Sequence, residues 1–149
     1  MYKNGQGATQ DYTQAVKWYA QAAMQGLAQA QNNLGLMYAN GQGIAQDYTQ
    51  AIKWFTQAAE QGYTEAQVNL GVMYNNGLGV DKNFMITHVL FNLAAVNGNK
   101  KAIIGRDTVA AILSPSQLNQ AQKLASTWKV GTPLPLTIRA SKNSSKKRK

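Results

Sequence analysis

The sequence predicts an all-α protein in which pairs of helices stack into a solenoid. Three observations lead to this prediction: a 36-residue repeat, apolar stripes with helical spacing inside each copy, and glycines that recur at the same positions between the helices. A single helix pair cannot bury its apolar stripe alone, so neighbouring pairs must stack and share one continuous core.

The repeat is visible without gaps over three copies. Residues 1–36 and 37–72 are identical at 24 of 36 positions, and residues 73–108 keep ten identities with the second copy. Internal repeats determine the architecture, so the three copies indicate one repeated structural unit rather than unrelated segments.

Each copy contains two apolar stripes with the spacing of an amphipathic helix. Asp11 precedes the first stripe as a candidate helix cap, and Gly26 follows it where a left-handed C-terminal residue is favoured. The second stripe ends at a turn containing Gly41 and Gly43. In the first copy the two stripes consist of Ala15, Trp18, Tyr19, Ala22 and Ala23, then of Leu27, Ala30, Leu34, Met37 and Tyr38.

Two glycines, Gly35 and Gly71, lie inside predicted helices at the same repeat position. A glycine in a helix interior costs about 1 kcal/mol relative to alanine. Their recurrence therefore predicts that another helix approaches closely at this point.

The repeated string resembles the Sel1-like repeat, a relative of the tetratricopeptide repeat with a longer loop between helices. The string reads Ala-Gln-x-x-Leu-Gly-x-Met-Tyr-x-x-Gly-x-Gly, then Asp-Tyr-x-x-Ala-x-Lys-Trp, over residues 30–62 and again from residue 66. The resemblance covers about residues 1–108. It implies an α/α right-handed superhelix that binds other proteins, commonly in bacterial signalling, envelope or host-interaction roles.

The predicted domain organisation has three parts. Residues 1–113 form the repeats, and the first copy lacks its leading helix, which suggests a piece of a longer protein. Residues 114–130 form a capping helix, because Ser114, Pro115 and Gln117 make a capping box with proline at the first helical position. Residues 131–149 are predicted to be a disordered basic tail.

Charge and composition exclude several function classes. The net charge is +9, but residues 131–149 carry six basic residues and no acid, which leaves about +3 on the body, too little to indicate a nucleic-acid surface. The tail remains a basic handle for acidic protein, anionic lipid or nucleic acid, a nuclear-import signal, or simply a solvated end. There is no cysteine and no long apolar run. The compartment stays open between the bacterial cytoplasm and, if a signal peptide precedes this chain, the periplasm or exterior.

No constellation of reactive residues is evident, so we predict no enzymatic activity, no cofactor and no metal. The single histidine, His88, shares its repeat position with Val16 and Ile52, which predicts the edge of the core. The Gly-x-Gly pairs at 5/7, 41/43 and 77/79 lack the strand and third glycine of a dinucleotide site and are interpreted as turns. The aspartates are dispersed and fit helix starts better than acid–base catalysis.

The predicted function is a protein–protein interaction scaffold. A helix pair begins with the helix that carries the second stripe of a copy. By analogy with tetratricopeptide superhelices, this first helix of each pair lines a concave groove that binds a protein segment or peptide through residues off the core stripe. Two alternatives stay open: a homo-oligomer formed through an exposed apolar face around Ala15, Trp18 and Tyr19, and binding of acidic partners by the tail. The candidate groove residues are Gln29, Asn32, Leu36, Asn40, Glu65, Val68, Val72, Asn76, Lys101 and Ile104.

Overall fold

The computed structural model describes residues 5–138, with side chains from residue 11 onward, and contains seven α-helices and no strand in that range. From α1 to α6 each helix packs against the next along the chain, and α7 packs back on α5. The predicted all-α solenoid of helix pairs is therefore confirmed. The helices are α1 (Gly5–Met24), α2 (Ala28–Asn40), α3 (Tyr48–Glu60), α4 (Thr64–Asn76), α5 (Phe84–Val96), α6 (Lys100–Ala110) and α7 (Pro115–Thr127).

The helix ends follow the repeat. Gly41 and Gly77 end α2 and α4 in the left-handed conformation, with φ of 64° and 68°, where glycine carries no Cβ penalty. Asp47 caps α3 by accepting from Gln50 N, and Asn83 caps α5 by accepting from Ile86 N. The same cap at the start of the second helix thus recurs one repeat apart.

The first copy departs from this pattern. We expected a turn at Gly5 and Gly7 and a helix start at Asp11, but α1 already begins at Gly5, so Asp11 lies within the helix and this expectation is wrong. Glycine adopts helical as well as left-handed dihedral angles, and two glycines alone therefore do not end a helix.

Close approach at the helical glycines is confirmed. A Cβ added at Gly35 would lie 2.6 Å from Cε1 of Phe55, and one at Gly71 would lie 2.5 Å from Cε1 of Phe91. Gly105 meets the opposite edge of the second ring, with 2.6 Å to Cε2 of Phe91. The rings of Phe55 and Phe91 therefore pack against helix positions where an added Cβ would force the ring to move.

His88 lies deeper than predicted. We expected the edge of the core, but the residue is 2% exposed. Its Nδ1 has no hydrogen-bond partner among the described residues. Burial, followed by the positive charge of Arg106, lowers the pKa of the imidazole, while Asp107 acts in the opposite direction. The side chain is therefore held neutral inside a helical core.

The capping helix α7 forms as predicted. Ser114 and Gln117 make the capping box, with Pro115 at the first position. Ala121 and Ala125 of α7 are buried in a cluster with Val89 of α5. The C-terminal end of the solenoid is thus covered by a helix outside the repeat pattern.

The prediction of a disordered tail from residue 131 is corrected for residues 131–138. Leu134 is 7% exposed and belongs to the central core cluster, against which Leu136 and Ile138 also pack. The apolar side chains of this proline-containing stretch are stabilised by leaving water, which the helix-breaking pattern in the sequence does not reveal. The remaining tail, residues 139–149, lies outside the described residues, so disorder in that part stays a prediction.

Candidate functional site

A cleft of about 250 Å³ runs across the first helices of three successive pairs. These helices, α2, α4 and α6, point the alanines of one stripe into the core: Ala30, Ala66 and Ala102 are 6%, 0% and 0% exposed. Residues on the neighbouring faces therefore line the cleft. They are Asn32, Leu36, Glu65, Val68, Asn69, Asn99 and Lys101.

An asparagine pair joins two of the helices inside the cleft. Asn69 Nδ2 of α4 donates to Asn32 Oδ1 of α2 at 2.9 Å, and Asn32 is only 2% exposed. Because a side-chain amide carries two donors and one acceptor oxygen, this hydrogen bond leaves further hydrogen-bonding capacity on both residues. Asn69, the half-buried member of the pair, can therefore bond to a peptide group, which has one donor and one acceptor.

The apolar part of the lining comes from Leu36 and Val68. Val68 is 7% exposed and packs in a small cluster with Phe91, Ala94 and Ala102, while Leu36 is partly buried against the central core. Both side chains are fixed by packing and present a rigid apolar surface, which favours contact with an aliphatic group of a ligand.

Two opposite charges complete the lining. Neither Glu65 nor Lys101 forms an ion pair with another described residue. The ion pair found in that part of the chain joins Arg106 Nε and Asp107 Oδ1 at 3.1 Å. Glu65 does interact with Tyr63: burial first, then the charge of Glu65 and a hydrogen bond to it, raise the pKa of that phenol above its usual 10.0. Lys101 is exposed at the start of α6. Glu65 and Lys101 thus place two opposite charges in the lining of the cleft.

The structure brings half of the predicted groove residues together. Asn32, Leu36, Glu65, Val68 and Lys101 line the cleft, whereas Gln29 lines a separate pocket beside Trp18. Four further predicted residues are exposed but are not part of the cleft lining: Asn40, Val72, Asn76 and Ile104. A binding role for any of the ten remains a prediction.

Sequence reasoning missed two residues of the cleft, Asn69 and Asn99. Asn69 has a signal in the repeat, because Asn33 occupies the same position one copy earlier. Asn99 caps α6 by accepting from Ala102 N at 2.9 Å, so its position at a helix start was a second clue. Helical stripes assign residues to faces, but they do not show which faces of neighbouring helices meet.

Metal ligands and membrane-spanning segments are not evident in the described part of the chain. No group of three or more His, Cys, Asp or Glu residues there is placed to hold a metal ion. Over the same residues, none of the helices combines the length and apolar character that crossing a bilayer requires.

Stacked helix pairs, glycine-packed aromatic rings and a cleft along the first helices define an α/α repeat solenoid. The Sel1 repeat matches three successive segments, residues 1–27, 28–63 and 64–99. The chain belongs to the Sel1 repeat family, as the motif predicted.

Two solved structures are similar to this chain. One is a protective antigen present in uropathogenic Escherichia coli strains that displays an SLR fold, with 33% identity, a TM-score of 0.77, and coverage of 87% of this chain and 29% of that chain. The other is a Sel1 repeat protein from Oxalobacter formigenes, with 32% identity, a TM-score of 0.63, and coverage of 74% and 46%. The chain thus spans less than half the length of either. A comparison with curated proteins gives no match.

Proposed function

We propose that this protein is a non-catalytic interaction scaffold that binds a short extended protein segment in the cleft along α2, α4 and α6. The observation that supports this most is the lining itself, where Leu36 and Val68 lie beside the Asn32–Asn69 amide pair. Sel1 repeats commonly act as protein-interaction modules, which agrees with the proposal.

The lining suits a peptide better than a small polar ligand. An extended segment presents alternating side chains and peptide groups, so an aliphatic side chain can contact Val68 while the adjacent peptide group bonds to Asn69. Glu65 and Lys101 carry opposite charges, which favours one direction of a charged segment over the other. The cleft of about 250 Å³ holds only a few residues.

A peptide-display selection against the full chain tests the proposal. We expect enriched peptides to bind the wild type, to lose at least about tenfold in affinity with Lys101→Glu, and to keep wild-type affinity with the matched control Lys100→Glu. Lys100 is the exposed neighbour on α6 and does not line the cleft. A tenfold loss corresponds to about 1.4 kcal/mol.

Two results would contradict the proposal. One is equal weakening by Lys100→Glu and Lys101→Glu, which would indicate general electrostatic attraction to a basic surface. The other is full retention of affinity by a Leu36→Asp, Lys101→Glu double variant that circular dichroism shows to be folded.

Self-association is a second candidate, and it rests on the face of α1. Trp18 is 74% exposed, whereas Trp54, the same position one repeat later, packs on the cluster of Ala23, Ala30 and Leu34. Trp18 also lines a cleft of about 240 Å³ together with Leu27. Inside this chain, the equivalent face around Trp54 is covered by another helix pair of the same repeat. We therefore propose a second copy of the chain as the occupant.

Analytical ultracentrifugation distinguishes this candidate. We expect a concentration-dependent dimer that Trp18→Ser abolishes and that Val96→Ser, a matched change at a side chain 79% exposed on α5, leaves intact. A monomer at all concentrations, or equal loss in both variants, would exclude this face as an interface.

A further inference from the structure

A second peptide-like contact lies away from the cleft, where the C-terminal strap, residues 131–138, crosses from the end of α3 to the start of α5. Leu134 is buried in the cluster that also contains Ala58 of α3 and Ile86 of α5. Leu136 and Ile138 pack against the same cluster. The strap has no regular secondary structure. The helices α3 and α5 thus hold an aliphatic segment that contains turns.

Polar groups fix both ends of the strap. Gly131 N donates to Glu60 O at 2.7 Å, and Leu134 N donates to the Glu60 carboxylate, Oε2, at 2.9 Å. At the other end, Asn83 Nδ2 donates to Ile138 O at 2.7 Å. One residue of α3 and one at the start of α5 therefore read backbone groups of the strap, as in the recognition of a peptide ligand.

The strap residues suit such a site chemically. Pro133 and Pro135 have no N–H group, so they bring no unpaired donor into the apolar groove. Leu136 N donates to Leu134 O at 2.8 Å. Few backbone N–H groups are therefore exposed between the two anchored ends. Proline also limits the conformational entropy that the segment loses on binding.

The site is not a property of every repeat. One copy earlier, the position of Glu60 is Met24 and that of Asn83 is Asp47. Methionine offers no acceptor comparable to a carboxylate, and an ionised aspartate cannot donate a hydrogen bond. Both recognition groups are thus specific to the α3–α5 groove, although Asp47 and Asn83 share the capping role.

We propose that the α3–α5 groove is a peptide-binding site selective for a proline–leucine segment without regular secondary structure, occupied in cis by residues 131–138. A second molecule of the same segment binds there in trans when the cis strap is loosened. The proposal is independent of the cleft along α2, α4 and α6. A tethered segment has an effective concentration in the millimolar range, so the intact strap excludes a peptide added at micromolar concentration.

Calorimetric titration of the full chain with a synthetic peptide of residues 129–138 tests this site. We expect the wild type to bind the peptide at least tenfold more weakly than Leu134→Ser, whose strap has lost its buried side chain. Ile112→Ser, at a side chain 56% exposed outside the strap, is the matched control and should behave as the wild type. Adding Glu60→Met to Leu134→Ser should remove the peptide binding.

Hydrogen exchange in the intact chain gives a second measurement that does not depend on Leu134→Ser. We expect the amide of Leu134 to exchange at least tenfold faster in Glu60→Met than in the wild type, with the amides inside α2 unchanged. A folded Leu134→Ser chain that ignores the peptide, peptide binding that survives Glu60→Met or accepts a scrambled sequence, or unchanged exchange at Leu134 would each overturn the proposal.

Discussion

Gln31 and Gln67 occupy the same repeat position at two successive junctions between repeats, but they form different hydrogen bonds. At the first junction, Gln31 Nε2 donates to Ala23 O at 3.1 Å and to Gln57 Oε1 at 3.2 Å, and Gln31 Oε1 accepts from Gln61 at 2.9 Å. At the second, Gln67 Nε2 donates to Ala59 O at 3.3 Å, and its buried Oε1 has no partner in the part of the chain that the structure describes. The Gln31 amide thus forms hydrogen bonds through both its NH₂ group and its oxygen, whereas the Gln67 amide forms one through its NH₂ group alone.

Two substitutions between the copies explain the difference. The position of Gln61 becomes Asn97, which is one methylene shorter and instead donates to Thr64 Oγ1 at 2.9 Å. The position of Gln57 becomes Leu93, which has no polar group. The second junction has another contact, because the C-terminal strap covers α3 and α5. Next to it, Phe91 of α5 is enclosed between Gly71 of α4 and Gly105 of α6. We infer that hydrogen bonds stabilise the first junction and apolar burial stabilises the second.

The largest expected effect is at the enclosed ring. Gly71→Ala should lower the free energy of unfolding by about 3 kcal/mol, because the new Cβ would meet Phe91 at 2.5 Å while Gly105 blocks the opposite edge. For Gly35→Ala we expect only about 1 kcal/mol, since Phe55 has no second glycine contact and can shift. Urea denaturation of both variants measures the difference, and equal losses would contradict the enclosure of Phe91.

The glutamines provide the next test. Gln31→Met removes three hydrogen bonds and should lower the free energy of unfolding by about 2 kcal/mol. Gln67→Met should be nearly neutral, because it removes one hydrogen bond together with a buried oxygen that lacks a partner. Chemical denaturation at neutral pH compares them. A greater loss for Gln67→Met would contradict the contrast between the junctions.

Repairing the second junction should have a smaller effect. Asn97→Gln restores the length of Gln61 and should raise the free energy of unfolding by up to about 1 kcal/mol if its amide reaches Gln67 Oε1. The reverse change, Gln61→Asn, should lower it by a similar amount. Thermal denaturation measures both, and two shifts of the same sign would show that side-chain length is not the cause.

Position 88 is a histidine in the third copy alone, where the earlier copies have Val16 and Ile52, and its effect on stability should vanish at neutral pH. Because the folded-state pKa is lowered, the unfolded chain binds the proton more readily. Stability is therefore complete above the unfolded pKa of about 6.5 and falls as the pH drops toward the folded-state value. His88→Ile, the residue of the preceding copy at position 52, should remove this loss between pH 7 and pH 5. Parallel pH profiles in denaturation experiments would contradict it.

The sequence predicted what the repeat encodes locally. Helix stripes, the cap at Asp47, the turn at Gly41 and the close approach at Gly35 all follow from neighbouring residues and from recurrence at one position. The lining of the cleft was predicted only in part, because Asn69 and Asn99 enter it through the relative placement of three helices.

The C-terminal strap shows why other parts of the structure could not be predicted from the sequence. Its hydrogen bonds join residues that are 74 and 55 positions apart in the chain, and no periodicity connects Leu134 with Glu60 or Ile138 with Asn83. Pro133 and Pro135 are incompatible with a helix interior, but they fit an unstructured tail and a bound segment equally well. Only the packing of the apolar side chains distinguishes the two.

Amide chemical-shift mapping with a display-selected peptide tests the central claim about the cleft most directly. The account predicts that titration perturbs Leu36, Val68, Asn69 and Lys101, while the amides of residues 131–138 and of α7 stay at their free positions. Perturbations confined to α1, α7 or the C-terminal strap, with none on α2, α4 or α6, would contradict it.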